Sequence, residues 1–179
     1  MTELERKNKF AMLIDEHFNI LETSKITNAF EDWGFFRAPA SVNHHGNYEG
    51  GLFDHSLAVT EALLELTEKL DLKWQRPESP VIVGMFHDLC KCYNYEYNTE
   101  SGQWQYKKNP TMTGHGELSV IIGQQIIPLT DEEILCIRWH MGAYDDKENW
   151  NKLGRAIEIC PNVLYTHTAD MIASRVNGI

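Results

Sequence analysis

The sequence predicts an all-α protein: a helical bundle with one small β-hairpin inserted at about residues 93–108, folded as a single domain over residues 1–179. Three observations lead there. Apolar residues recur at helical spacing through most of the chain, and capping and stop signals separate those stretches. Only residues 93–108 switch to the alternation of a two-stranded ribbon. At 179 residues, the length is that of one ordinary domain.

The elements follow in order. Thr2 and Glu5 form a capping-box pattern, after which Phe10, Leu13, Ile14, Phe18 and Leu21 repeat at helical spacing. A second helix is expected from Ser24, with Ile26, Phe30 and Trp33 on one side and a stop at Gly34. Ala38–Gly51 is rich in Pro, Asn, His and Gly and reads as an ordered loop. Leu52, Val59, Ala62, Leu63, Leu66 and Leu70 mark a long amphipathic helix. Ser79-Pro80 opens a helix over Val81–Lys91 that is apolar nearly all round and belongs at the centre. Tyr93, Tyr95 and Tyr97, a turn at Thr99–Gly102, then Trp104 and Tyr106 give the hairpin. Further helices are expected over Glu117–Ile127, from the Thr130–Glu133 capping box to His140, and from Pro161 to about Val176, with a polar loop at Asp145–Leu153.

Composition narrows the function. Hydrophobic residues are 42% and charged residues 23%, which excludes a disordered, collagenous or disulfide-scaffold chain. Sixteen Lys and Arg against 26 Asp and Glu give a net charge of −10, a field that repels long nucleic acid but not a small phosphorylated substrate entering a metal-lined pocket. The longest apolar run, Val81–Phe86, is far short of the ~20 residues of a membrane span. The N-terminus has no apolar signal region, and Cys90, Cys92, Cys136 and Cys160 form no CxxC pair. Reduced thiols in a cytoplasmic protein are expected.

His87-Asp88 closes the apolar central helix, where two polar side chains cost several kcal/mol unless paired or bound. His55 lies on the apolar side of its helix, with Leu52, Val59 and Leu66. His115 sits between Gly114 and Gly116, His140 ends the helix carrying Ile134 and Ile137, and Asp170 falls among small and apolar residues of the last helix. Several helices thus each contribute an inward imidazole or carboxylate, the arrangement by which bundles hold metals. Imidazole and carboxylate without thiolate suit one or two divalent ions of Mn, Fe, Ni, Co or Zn.

The ordered series His55, His87-Asp88, His115, His140, Asp170 resembles the HD-domain superfamily, in the branch with two extra histidines between the HD pair and the last aspartate. The resemblance covers about residues 40–176. The stretch from Asn43 to His55, and then Phe86–Lys91, Gly114-His115, Trp139-His140 and His167–Asp170, are similar to the HD domain of bacterial 3′→5′ exoribonucleases. Cys90 stands where the superfamily usually has glycine, and these 179 residues leave no room for the nucleic-acid-binding domain that those enzymes also carry. The resemblance implies that His55, His87, Asp88 and Asp170 hold one ion, and that Asp88 bridges to a second completed by His115 and His140. It implies a phosphohydrolase acting on a nucleotide or short oligonucleotide through metal-activated water, with Asp88 and Lys91 catalytic. Lys91, three residues after Asp88 on the same helix face, is expected to neutralise phosphate; a cation favoured at a helix C-terminus is the structural alternative.

His44 and His45 are candidate substrate contacts on the loop before the site. His167 reads as a satisfied buried histidine, His17 as structural, and Arg138 and Arg155 as surface ion pairs. The hairpin aromatics stack a base or, more commonly, pack the ribbon on the body. They also allow a homodimer. Two alternatives share the site residues: a diiron oxygenase of the same fold, and a non-catalytic metal-containing nucleotide-binding module.

Overall fold

The computed structural model describes residues 1–44, 46–108 and 114–179; His45 lies outside them. Helix α1 (Glu3–His17) begins with the expected reciprocal box, Glu5 N donating to Thr2 Oγ1 at 3.2 Å and Thr2 N to Glu5 Oε2 at 2.7 Å. Helix α2 (Ile20–Asp32) starts four residues before the expected Ser24. Asn19 is its cap, accepting from the backbone of Leu21 and Glu22. Ser24 is then an interior residue whose hydroxyl donates to Ile20 O.

Helix α3 (Gly51–Leu70) and helix α4 (Ser79–Phe86) pack together at the centre. Every residue of α4 is buried, as its all-round apolar sequence requires. Gly84 makes the approach close, since an added Cβ would lie 2.7 Å from Thr60 Cα on α3. Arg6 ties α1 to α3 through a two-pronged bond to Asp54 at 2.9 and 2.8 Å. One flank is sealed by phenylalanines: Phe10 stacks on Phe30 at 4.7 Å, and Phe30 meets Phe86 at 5.3 Å.

The predicted continuous helix to Lys91 is interrupted. After Phe86 the backbone tightens through His87-Asp88-Leu89, where Leu89 N bonds Phe86 O and Lys91 N bonds Asp88 O, before α5 (Cys90–Asn94) resumes. These three-residue bonds are 3₁₀-like and change where successive side chains point. The hairpin pairs β1 (Tyr95–Asn98) with β2 (Gln103–Tyr106), Gly102 taking φ +68° in the turn.

Helix α6 (His115–Ile126) opens at His115, two residues earlier than expected, with Gly114 at φ +92° before it. Helix α7 (Asp131–Trp139) has the expected Thr130–Glu133 box. The polar stretch read as loop instead holds two short 3₁₀ turns, Gly142–Tyr144 and Lys147–Asn149, and the start of α8 (Trp150–Ile159). Its inward positions are Leu153, Ala156 and Ile157, a narrow stripe that polar flanks hide in the sequence. Helix α9 (Asn162–Met171) packs on α3 and α7 and passes into a π-turn at Ile172–Val176. Mainly helical with a two-stranded ribbon, the fold class is as predicted. Among the described residues no helix is long and apolar enough to cross a membrane.

Candidate metal centre

Three imidazoles are fixed in the same sense. His87 Nδ1 lies 2.8 Å from Gly84 O, His140 Nδ1 2.7 Å from Ile137 O, and His55 Nδ1 2.9 Å from Ile179 O. Such oxygens only accept, so each Nδ1 carries a proton, and each Nε2 is left as the ligand nitrogen of a neutral ring. All three Nε2 atoms then point inward. His87 Nε2 and His55 Nε2 are 3.2 Å apart, and both rings are buried.

The carboxylates face the same point. His55 Nε2 is 3.2 Å from Asp170 Oδ1 and 3.5 Å from Asp88 Oδ2, while His87 Nε2 is 3.3 Å from Asp88 Oδ2. His140 Nε2 is 3.6 Å from Asp88 Oδ1 and has no hydrogen-bond partner although fully buried. Where the rings are neutral, acceptors face acceptors along the His87–Asp88 and His140–Asp88 lines. A proton relieves one such line, whereas one divalent cation relieves all of them. The donor set fits the imidazole–carboxylate metals. Three overlapping groups have ligand atoms within 4.8 Å of one another: His55, His87 and Asp170; His87, Asp88 and His140; Asp88, Cys90 and His115.

His115 differs from the other three. Its Nε2 is 2.6 Å from Asp88 Oδ1, and its Nδ1 is 3.2 Å from Cys90 Sγ. Burial, and secondarily the charge of Asp88, pushes the Cys90 thiol up to about 12, so it keeps its proton and donates to Nδ1. The proton on His115 is then on Nε2, shared with Asp88, and burial lowers this ring's affinity for a second one. Taking a metal at Nε2 requires His115 to exchange tautomers. The sequence reading treated Cys90 only as a substitution for glycine; its sulfur is a neighbour of the site.

Lys91 is buried and ion-paired to Asp88 Oδ2. Burial alone raises the Asp88 carboxyl, but Lys91 and then His87 outweigh it and hold Asp88 well below the usual carboxylate range. Burial likewise opposes the ionisation of Asp170, and the His55 bond leads the effects that hold its carboxyl far below normal. His87, Asp88 and Lys91 all reach this centre from the tightened turn after Phe86.

The centre floors an open cavity of about 350 Å³. His44 lines its rim, exposed, with its backbone N–H donating to Ser41 Oγ at 3.0 Å. The sequence-predicted His55, His87, Asp88, Lys91, His115, His140 and Asp170 all come together. His167 bonds His140 O through Nδ1 at 2.8 Å and so braces α7 rather than Asp170. Arg138 pairs with Glu117 and Asp145, and Arg155 with Glu158. His17 lies in the last turn of α1. Sequence reasoning missed Asn94, Tyr144, Met171 and Arg175 on the cavity wall. The first three carry no distinctive pattern, and Arg175, exposed, is set at the cavity mouth by the π-turn, which the sequence does not announce.

Residues 52–174 match the profile of the HD domain, a span that runs from the helix of His55 past Asp170. The chain belongs to the HD-domain family. Over 61 residues it is 39% identical to the dihydroneopterin 2′,3′-cyclic phosphate phosphodiesterase of Methanocaldococcus jannaschii. That segment is 32% of this chain and 24% of the relative, so the chain matches about a quarter of the relative's length. No solved structure matches this HD-domain chain.

Proposed function

We propose that this HD-domain protein is a metal-dependent phosphohydrolase that cleaves a phosphodiester of a nucleotide or short oligonucleotide. The observation that carries the reading is the convergence of three buried Nε2 atoms on Asp88 and Asp170 at the floor of an open pocket. In this reading His55, His87, Asp88 and Asp170 hold one divalent ion, with a second between Asp88, His115 and His140. Such ions supply Lewis acidity toward a phosphoryl oxygen and a lowered pKa for a bound water. Over residues 1–179 the chain acts as one domain.

The side chains have separable tasks. Gly84 O, Ile137 O and Ile179 O keep three rings in the Nδ1–H tautomer, so the ligand lone pairs are set before a substrate arrives. Lys91 places an ammonium beside Asp88, where it offsets charge gathering on the phosphoryl oxygens. At the mouth, Arg175 has no carboxylate partner among the described residues, and its guanidinium lies 5.2 Å from the Tyr144 ring. It offers an incoming anion a second cation besides Lys91, and one that no carboxylate already holds. His44 and His45 are rim contacts for substrate in the same reading. The diester preference is supported by the activity in the name of the Methanocaldococcus jannaschii relative.

The test is turnover by protein loaded in turn with Mn, Fe, Co, Ni and Zn. Substrates are bis-p-nitrophenyl phosphate, nucleoside 2′,3′-cyclic phosphates and short RNA. Turnover that chelator abolishes, and that Asp88→Asn lacks even after metal loading, is expected. Silence with every metal, or oxygen uptake by an air-sensitive iron form, overturns the proposal.

A further inference from the structure

The four hairpin aromatics share one face. Tyr95 stands opposite Tyr106 and Tyr97 opposite Trp104, and residues two apart on a strand point the same way. The result is a ladder of two rungs, with ring centroids 4.9 Å apart in the first and 5.6 Å in the second. Rings needed only to dock the ribbon would be buried. Tyr95 is, at 7% exposed, but Tyr97 and Tyr106 are 52% and 58% exposed. Tyr93, packed edge-on against Trp33 at 5.6 Å, shares the docking with Tyr95.

The two rungs belong to different concavities. Tyr95 and Tyr106 line the cavity over the metal centre. Tyr97 and Trp104 line a second, larger open groove of about 890 Å³, whose far wall includes Arg37, Asn47 and Tyr48. The loop before α3 and the hairpin wall both, so the ladder leads from one into the other. Tyr48 is held in place because its hydroxyl donates to Asp54 Oδ2 at 3.1 Å, and Asp54 is itself clamped by Arg6. Arg37 has no carboxylate partner among the described residues.

We propose that this groove is a base-stacking subsite, one nucleotide removed from the scissile phosphate, and that the substrate is therefore a short single-stranded oligonucleotide. The proposal rests on the phosphodiesterase reading above and names its substrate class. Aromatic faces stack any base, and the rungs are spaced by two residues of strand, about 6.8 Å, within the reach of one extended nucleotide. Arg37 is nearly balanced by Glu49 in the groove, and the chain carries −10 overall. Stacking rather than phosphate neutralisation therefore supplies the grip, which suits two to four nucleotides and not a polymer.

The experiment compares oligoadenylates of two to five nucleotides with thymidine 5′-monophosphate p-nitrophenyl ester on the full chain. KM is expected to fall from the dinucleotide to the trinucleotide and then level. Trp104→Ala is expected to raise the trinucleotide-to-ester KM ratio about tenfold, the order of one base–aromatic stack, while Gln105→Ala, on the opposite hairpin face, leaves the ratio unmoved. In metal-free protein, trinucleotide binding followed by anisotropy weakens in parallel. A ratio unchanged in Trp104→Ala overturns the proposal. So does a sedimenting dimer that Trp104→Ala converts to monomer, which would make the ladder a surface for a second copy. If neither substrate is cleaved but metal-free binding still depends on Trp104, the catalytic reading fails and the subsite stands. If the ester is cleaved with no length preference, the subsite alone fails.

Discussion

Gly84→Ala tests whether the close approach of α3 and α4 builds the centre. The added Cβ would stand 2.7 Å from Thr60 Cα and 2.9 Å from Thr60 Cβ, with the Thr60 hydroxyl nearer still. Ordinary carbon contact begins near 3.5 Å, so one helix must retreat by roughly 0.7–1 Å. Overpacking of this kind costs about 1–3 kcal/mol, and a main-chain neighbour that cannot rotate aside puts this case at the upper end. Alanine returns about 1 kcal/mol through helix propensity, leaving a net loss of about 2 kcal/mol and a fall of roughly 4–8 °C in Tm. Function should suffer more than stability, because His55 rides on α3 while Gly84 O fixes His87. A displacement near 1 Å is expected to cost about 100-fold in kcat/KM. Urea titration and turnover of the metal-loaded variant measure both. Thr60→Ala in the same chain removes the hydroxyl but not the Cα, so rescue should be partial. A variant as stable and active as the parent refutes the packing argument.

Other perturbations follow from the same contacts. Lys91→Met should retain metal but lose about 100-fold in kcat, read by metal analysis beside kinetics, if its ammonium acts on substrate charge. Glu133 is fully buried and accepts from Arg76, Ser79 and the Thr130 backbone; Glu133→Ala strands those donors and should cost about 3–5 kcal/mol in urea unfolding. Burial disfavours the ionised form of Asp145, yet bonds led by that from Arg138 hold its carboxyl below the ordinary value of 3.8. Its contribution is present above that value and lost as pH falls through the lower folded value, so Asp145→Asn should flatten the acid limb of a stability profile below about pH 4. Cys90, with its thiol raised to about 12, should resist iodoacetamide at pH 8 in the native state and react on unfolding, as mass spectrometry would show.

The bundle was legible because its caps and apolar stripes are local: Thr2 with Glu5 and Thr130 with Glu133 act where the pattern puts them. Ser79, expected as a cap, is instead the first residue of α4 after Glu78; its hydroxyl donates to Glu133, and Pro80 falls one place later than expected. Asn19 was equally local but lay inside an apolar repeat that ran on to Leu21, and the continuous stripe hid the break between α1 and α2. Helix α8 escaped because its buried side is only a few residues wide. The convergence of the six candidate ligand side chains was readable because most are polar groups on otherwise apolar helix faces, which burial forces to find partners. What surrounds them was not. The 3₁₀-like turn at His87–Leu89, the π-turn that brings Arg175 to the mouth, and the Cys90–His115 contact all depend on tertiary packing between distant segments. The aromatic ribbon was visible as a hairpin, but which rings stay exposed follows from how Tyr93 and Tyr95 seat it.

The most direct measurement is the number of Mn(II) ions retained per chain after chelator treatment, reloading and equilibrium dialysis, in parent protein and in His87→Gln and Asp170→Asn. If the Nε2 atoms of His55, His87 and His140 converge with Asp88 and Asp170 to hold a cation, the parent keeps at least one ion and both variants lose it while remaining folded by circular dichroism. A parent that emerges metal-free, or a His87→Gln protein that binds as many ions as the parent, contradicts that claim.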